Sequence, residues 1–320
     1  MLRLAGPARG ATPASAGHLT VVASMTDDVW PAMRPGRAEP RWAGPFGRCH
    51  PWAPTLACGM SAPLPDALLA QILAEVNQPP VRAVALSGSF ARGAADAFSD
   101  LDLVCYVAQG EPAREWLSQR DGHLISVSHQ PLEDRLRDLT HPESAVRAVM
   151  PLRRLRALHD PEGLVEGLRQ AALDFRWDSV RAIGHAYVGE VVTQQAEVVQ
   201  KLLGGLARDE PSRTLSATAE LVHLLSVVMA VWLEVLVDSG NTHLDQVWNA
   251  AGASSDWTRW HRLAAGADGP SDLRQRGRAA LRLYAETARR VTPVFSSEEA
   301  DLLQYVLGRA STWLESEQRD

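Results

Sequence analysis

Apolar residues recur at helical spacing in PLPDALLAQILAEV, where Leu68, Leu69, Ile72, Leu73 and Val76 fall on one side of a helix. Short, nearly unbroken apolar runs follow. VRAVALS (81–87) and LDLVCYV (101–107) predict buried strands, LISVS (124–128) predicts a third, and a glycine-rich loop joins the first two. PLEDRLRDL predicts a short helix. LRRLRALHDPEG reads as a strand or a helix end closing in a turn, where Asp160 and Pro161 cap the next helix, GLVEGLRQAAL. After Arg176 the strand signals stop. Residues 178–206, 212–238, 272–291 and 296–317 carry long helical periodicity, broken by GLARDEPSR and DSGNTH. No internal repeat is visible. The pattern therefore predicts an α+β chain, with a small mixed-sheet domain over 60–174 and an all-α helical bundle over 175–320.

Residues 1–59 stand apart. They are rich in Pro, Gly, Ala and Arg, with scattered Trp30, Trp42 and Trp52 and no sustained period, which predicts a disordered segment or an overcalled start before Met60.

The 320 residues are enough for two domains, and 46% hydrophobic with 22% charged residues is the balance of a soluble globular protein. A net charge of −6 argues against a general nucleic-acid binder. No apolar run reads as a membrane span, and LTVVASM is too short for a signal peptide core. Cys49, Cys58 and Cys105 form no paired framework, and the ten histidines show no zinc spacing; a cytoplasmic location is the expectation. Of the 32 basic residues only Lys201 is a lysine, so a compact point charge is singled out there.

The chemistry concentrates in SGSFARGAADAFSDLDLVCY, residues 87–106. A glycine after a strand lets backbone approach a ligand, and the following serine offers a hydroxyl and an N–H to phosphate oxygens. Asp100 and Asp102 are alternate residues of a strand and project to one face, about 6–7 Å apart. Two like charges so close repel, and a divalent cation with hard-oxygen preference relieves the repulsion. The plainer alternative is a strand end with two solvated acids.

GSFARGAADAFSDLDLV resembles the signature of the nucleotidyltransferase superfamily with the polymerase-β-like fold. Gly-Ser-x-x-Arg followed by Ser-Asp-x-Asp and an apolar strand is similar to the kanamycin, or aminoglycoside, nucleotidyltransferase branch. The resemblance implies a nucleotidyltransferase domain over 60–174, Mg²⁺, and a nucleoside triphosphate as substrate. It further implies transfer of a nucleoside monophosphate to a hydroxyl of a small acceptor, an aminoglycoside among the candidates, with release of pyrophosphate. By the same resemblance, Gly88 and Ser89 hold phosphate, Arg92 reaches phosphate, Ser99 caps or orients Asp100, and Asp100 and Asp102 bind the metal. Many members carry a third acid on the next strand, but LISVSHQ has none. Members often build the site across a homodimer. Two other readings stay open: action on a protein or tRNA, and a catalytically inactive nucleotide-binding regulator.

The resemblance also implies a helical-domain glutamate that activates the hydroxyl, with a lysine one turn later. In HAYVGEVVTQQAEVVQKLLGG, Glu190, Gln194, Glu197 and Lys201 fall on one helix face. Glu197 is the expected base with Lys201 as phosphate contact, and Glu190 is the reserve. The plainer alternative is a solvated face with an i,i+4 ion pair. His223, on an apolar helix, reads as a core histidine, and Trp257 and Trp260 read as core packing.

Overall fold

The computed structural model describes residues 66–317, so the expectations for residues 1–59, including Cys49 and Cys58, lie outside the described residues. All the described residues belong to one compact unit. In chain order the elements begin with α1 (Asp66–Val76), β1 (Ala83–Leu86), α2 (Gly88–Arg92), β2 (Leu101–Val107), β3 (Arg114–Arg120) and β4 (His123–Pro131). There follow α3 (Leu132–Asp138), α4 (Pro142–Arg153), β5 (Arg156–His159) and α5 (Leu164–Asp174). The remainder is helical: α6 (Arg181–Ala207), α7 (Pro211–Trp232), α8 (His243–Ala251), α9 (Asp256–Ala265), α10 (Leu273–Arg290) and α11 (Ser297–Ser316).

The five strands form one sheet in the order β3-β4-β2-β1-β5. β2 and β4 run parallel and every other pair is antiparallel. The mixed-sheet α+β expectation is met. β2 alternates as a strand buried on both sides must. Leu101, Leu103 and Cys105 face rearward with Val84, Leu86, Ile125 and Val127, and α1 covers them with Leu68, Ile72 and Val76. Burial pushes the Cys105 thiol up to about 12, so it is an inert core residue. On the front, Tyr106 packs with Ala83, Ala85 and the apolar sides of α4 and α5. These helices cover only one end of the front face, and Asp102 lies at the uncovered end.

Asp160 accepts hydrogen bonds from the N–H groups of Leu164 (2.7 Å), Val165 (3.0 Å) and Glu166 (3.3 Å), which caps α5 as read from the sequence. Two elements escape the pattern. REWLSQR is too polar to signal a strand, yet it is β3, the sheet edge. It pairs with β4 through the two-residue turn Asp121-Gly122, both at positive φ (48° and 81°), as a tight hairpin requires. PESAVRAVMPLR (142–153), left unassigned by its weak contrast, is α4.

α4 joins the two parts. Its Val146 enters the core of the helical part, and the Val237 N–H donates to the Val146 carbonyl at 2.8 Å. A Cβ on Gly184 would lie 3.2 Å from Val231 and 3.5 Å from Pro142, so α4, α6 and α7 meet closely there. α7 is long and apolar enough, by length and composition, to cross a membrane, which corrects the expectation that no run would qualify. Here it is the mostly buried central helix, packed against α4, α6, α8, α9 and α10. Tyr284 donates to the Val192 carbonyl (3.0 Å) and Trp257 to Thr287 Oγ1 (2.9 Å), so these two fully buried aromatics are satisfied. His223 is exposed, contrary to expectation; the core histidines are His243 and His261.

α7 also ends earlier than its apolar pattern. Glu234 takes a left-handed conformation (φ 56°), the Val235 N–H bonds back to the Ala230 carbonyl (2.8 Å), and Arg181 holds the Glu234 carboxylate (2.7 Å). The chain from 233 to 239 therefore leaves the helix and runs toward the sheet.

Candidate active site

At the end of β1, the extended Ser87 donates its N–H to the Asp102 carbonyl at 2.9 Å. The chain then turns at Gly88, φ +64°, directly over β2. A Cβ there would fall 1.8 Å from Asp102 Oδ2, so only glycine lets the backbone lie against this carboxylate. α2 starts at Gly88, Phe90 anchors it in the rear core, and Gly93 (φ 68°) ends it. The Ser89 hydroxyl is buried without a hydrogen-bond partner among the described residues. Arg92, the last residue of α2, makes no ion pair among the described residues but lies near enough to act on Asp102.

Burial raises the Asp102 pKa to about 6, and the Asp100 charge adds to the rise. Arg92 opposes it, and Glu115 raises it further. Glu115 is the acid that the sequence reading missed. It lies on β3 opposite Ser128 of β4, which is in turn opposite Val104 of β2. It therefore belongs to the same sheet face as Asp102. Glu115 thus brings a further acid to this face from the edge strand, and LISVSHQ brings none. The Asp-Gly turn at 121–122 was the signal that would have exposed this hairpin.

Ser99 does not orient Asp100. Its hydroxyl donates to Asp96 Oδ1 (3.0 Å) and accepts from the Asp96 N–H (2.9 Å), while the Phe98 N–H also bonds to Asp96 (2.9 Å). Ser99 thus closes the turn that leads into β2.

These residues line one wall of an open cleft of about 320 Å³: Ser87, Gly88, Arg92, Asp102 and Glu115, with Ser126, Ser128 and Gln130 as floor. The opposite wall is Pro151 of α4 and the loop Asp238-Ser239-Gly240. Asp238 is held firmly. Its Oδ2 accepts from Gln246 (2.9 Å), its N–H donates to Gln246 Oε1 (3.0 Å), and Arg154 Nη2 lies 2.8 Å from Oδ1.

The helix-face residues lie elsewhere. Glu190, Gln194, Glu197 and Lys201 are on exposed turns of α6, and none lines the cleft. Glu190 accepts from Gln194 (2.9 Å), and Glu197 pairs with Lys201 (2.9 Å), the lysine being half exposed at 50%. Lys201 is 17 residues past Gly184, where α6 meets α4, or about 25 Å along the helix. Its charged neighbours are Glu220 and Arg213 of α7. The structure therefore brings together Gly88, Ser89, Arg92, Asp100 and Asp102, but not the α6 pair.

Residues 69–174 match the family model described as the nucleotidyltransferase domain. This part of the chain is a nucleotidyltransferase domain. It carries all the described acids of the cleft except Asp238, which the helical part adds. Among solved structures, the chain is similar to the nucleotidyltransferase-like protein from Exiguobacterium sibiricum 255-15. The identity is 11% and the TM-score 0.45, over 76% of this chain and 80% of that one. No curated protein matches the chain significantly.

Among the described residues, no three His, Cys, Asp or Glu side chains stand close enough to hold a metal by themselves. The donor set of the nucleotidyltransferase domain still fits a hard divalent cation: Asp100 and Asp102 supply carboxylate oxygens, and Glu115 adds negative charge on the same face. The unpartnered Ser89 hydroxyl and the Gly88 backbone fit a phosphate group beside them.

Proposed function

We propose that this chain is a Mg²⁺-dependent nucleotidyltransferase that moves a nucleoside monophosphate from a nucleoside triphosphate to a hydroxyl of a small acceptor. The observation that carries the reading is Asp102. It is crowded by Asp100 and Glu115, covered by the Gly88 backbone, and raised to about 6 with no cation beside it other than Arg92 among the described residues. Such a carboxylate is at ease only with a proton or a metal.

When bound, Mg²⁺ on Asp100 and Asp102 would neutralise triphosphate charge and polarise the α-phosphate. Gly88 and Ser89 hold phosphate oxygens through the backbone and the hydroxyl. Arg92 adds positive charge for the departing pyrophosphate. The acceptor oxygen forms its bond to the α-phosphorus as the bond to the bridging oxygen breaks, and pyrophosphate leaves. Asp238, the helical-part carboxylate that faces the cleft, takes the hydroxyl proton in place of Glu197 or Glu190. Among the described residues the free charges of the cleft are Asp102 and Glu115 against Arg92, Asp238 being paired with Arg154, and an amino sugar of the aminoglycoside type suits that balance.

The test is a pyrophosphate-release assay with Mg²⁺, each nucleoside triphosphate and a panel of amino sugars and polyols. Acceptor-dependent release that disappears in Asp102→Asn supports the reading. Absence of nucleotide binding in the presence of Mg²⁺ overturns it.

A further inference from the structure

A second cavity, about 310 Å³, lies on the rear of the sheet between the end of α1, the Pro79-Pro80 corner and the β3–β4 edge. The strands reach it by alternation. On β3, Glu115 faces the catalytic cleft while Arg114 and Trp116 face the rear cavity; on β4, Ser128 faces the cleft and His129 the cavity. Nothing in the nucleotidyl-transfer reading uses this space.

Three of its groups are unfinished. Arg114 makes no ion pair and no side-chain hydrogen bond among the described residues. His129 Nε2 is buried with no partner among the described residues. Burial and the Arg114 charge lower the His129 pKa, so its ring is neutral and offers one donor and one acceptor. Trp116, 40% exposed, stands edge-on to His129 with ring centroids 5.2 Å apart and leaves apolar ring surface toward the cavity.

The charges limit the ligand. Arg120 is already neutralised by Glu75 (2.5 Å), so Arg114 is the single free cation in the lining among the described residues. Glu111, also in the lining, disfavours a dianion such as a phosphate monoester. A monoanion carrying a flat apolar body satisfies every group: guanidinium to carboxylate, imidazole to the second carboxylate oxygen, and indole with Pro79 and Pro80 to the ring.

We propose that this rear cavity is a binding site for a small aromatic carboxylate, anchored by Arg114 and His129 and stacked against Trp116. The site is separate from the catalytic cleft and does not depend on the nucleotidyl-transfer reading.

The experiment titrates the full-length protein by calorimetry and by ¹H–¹³C NMR of the histidine Cε1 signals. The probes are phenylacetate, indole-3-acetate and their α-amino counterparts phenylalanine and tryptophan. Saturable binding that moves the His129 signal and weakens about 10-fold or more in Arg114→Gln supports the site. Binding confined to the α-amino probes also supports it and adds Glu111 as the ammonium contact. Trp116→Leu weakens binding while keeping the strand apolar, and Asp102→Asn leaves it unchanged. If no probe binds saturably, or if binding is indifferent to Arg114→Gln in a variant of unchanged thermal stability, the proposal fails.

Discussion

The Cβ that Gly88 lacks would overlap Asp102 Oδ2 at 1.8 Å. The loop after β1 and strand β2 are therefore fitted to each other at atomic contact. Gly88→Ala must displace the Asp102 carboxylate or the turn. The expected result is a loss of nucleotidyl transfer of about 100-fold or more, the scale of a misplacement near 1 Å. Gly93 is the control: it also has positive φ (68°), but a Cβ there meets nothing within 4 Å. Gly93→Ala costs about 1 kcal/mol of backbone strain and leaves turnover near wild type. Steady-state kinetics and thermal melts of the two variants separate the effects.

Asp102 sets a pH dependence with a definite sign. Its folded pKa, about 6, is above the ordinary 3.8, so between these values the folded metal-free protein binds the extra proton. This contribution to stability is present at low pH and is lost as pH rises through about 6. Asp102→Asn should stabilise the metal-free protein at pH 7 by about 1–2 kcal/mol, allowing for its partial exposure, with the gap narrowing as pH falls below about 6 and closing only toward the ordinary 3.8. Mg²⁺ should raise the melting temperature of the wild type at pH 7, less so at pH 5, and not that of Asp102→Asn.

The helical core responds to acid in the opposite direction. Burial lowers His261 and His243 to about 4. His261 accepts from Trp248 Nε1 at Nδ1 (3.1 Å) and its Nε2 lies 3.0 Å from the Val222 carbonyl, so it must carry its single proton on Nε2. Both rings are neutral when folded and take up protons when unfolded. Stability present above about 6.5 is therefore lost as pH falls toward 4, by about 2–5 kcal/mol for the pair. Thermal melts from pH 7.5 to 4.5 should show the decline, and imidazole NMR should show both rings still neutral at pH 5.5.

Glu197 and Lys201 are predicted to be dispensable. They form an exposed i,i+4 pair away from the cleft, worth a few tenths of a kcal/mol. Alanine at either position should leave kcat within about twofold, whereas Glu115→Gln and Asp238→Asn should lower it about 10-fold or more. The same pyrophosphate-release assay decides.

What the sequence made legible follows burial. β2 is read with its correct limits, because LDLVCYV is apolar except at Asp102. The Gly-Ser loop and the Asp pair are read because their chemistry is local to one turn and one strand. Glu115 is hidden because an edge strand has few apolar contacts to advertise it, and REWLSQR looks like a loop. Asp238 is hidden for another reason. The apolar run of α7 continues past the helix, and its end is marked by Glu234 at positive φ, not by glycine. That the α6 stripe lies outside the cleft is not legible, because a polar helix face looks the same in sequence whether it faces a cleft or water.

The β3–β4 hairpin has one further consequence. β3 has a neighbour on one side only, and its turn is two residues long. Its amides should exchange with solvent deuterium well before those of β2, which is bracketed by β1 and β4. Asp102 is thus held in the centre of the sheet, with Asp100 just before its strand, while Glu115 rides on an edge. A chain built this way can gain, lose or retune its third acid by altering one outer hairpin, without refolding the rest.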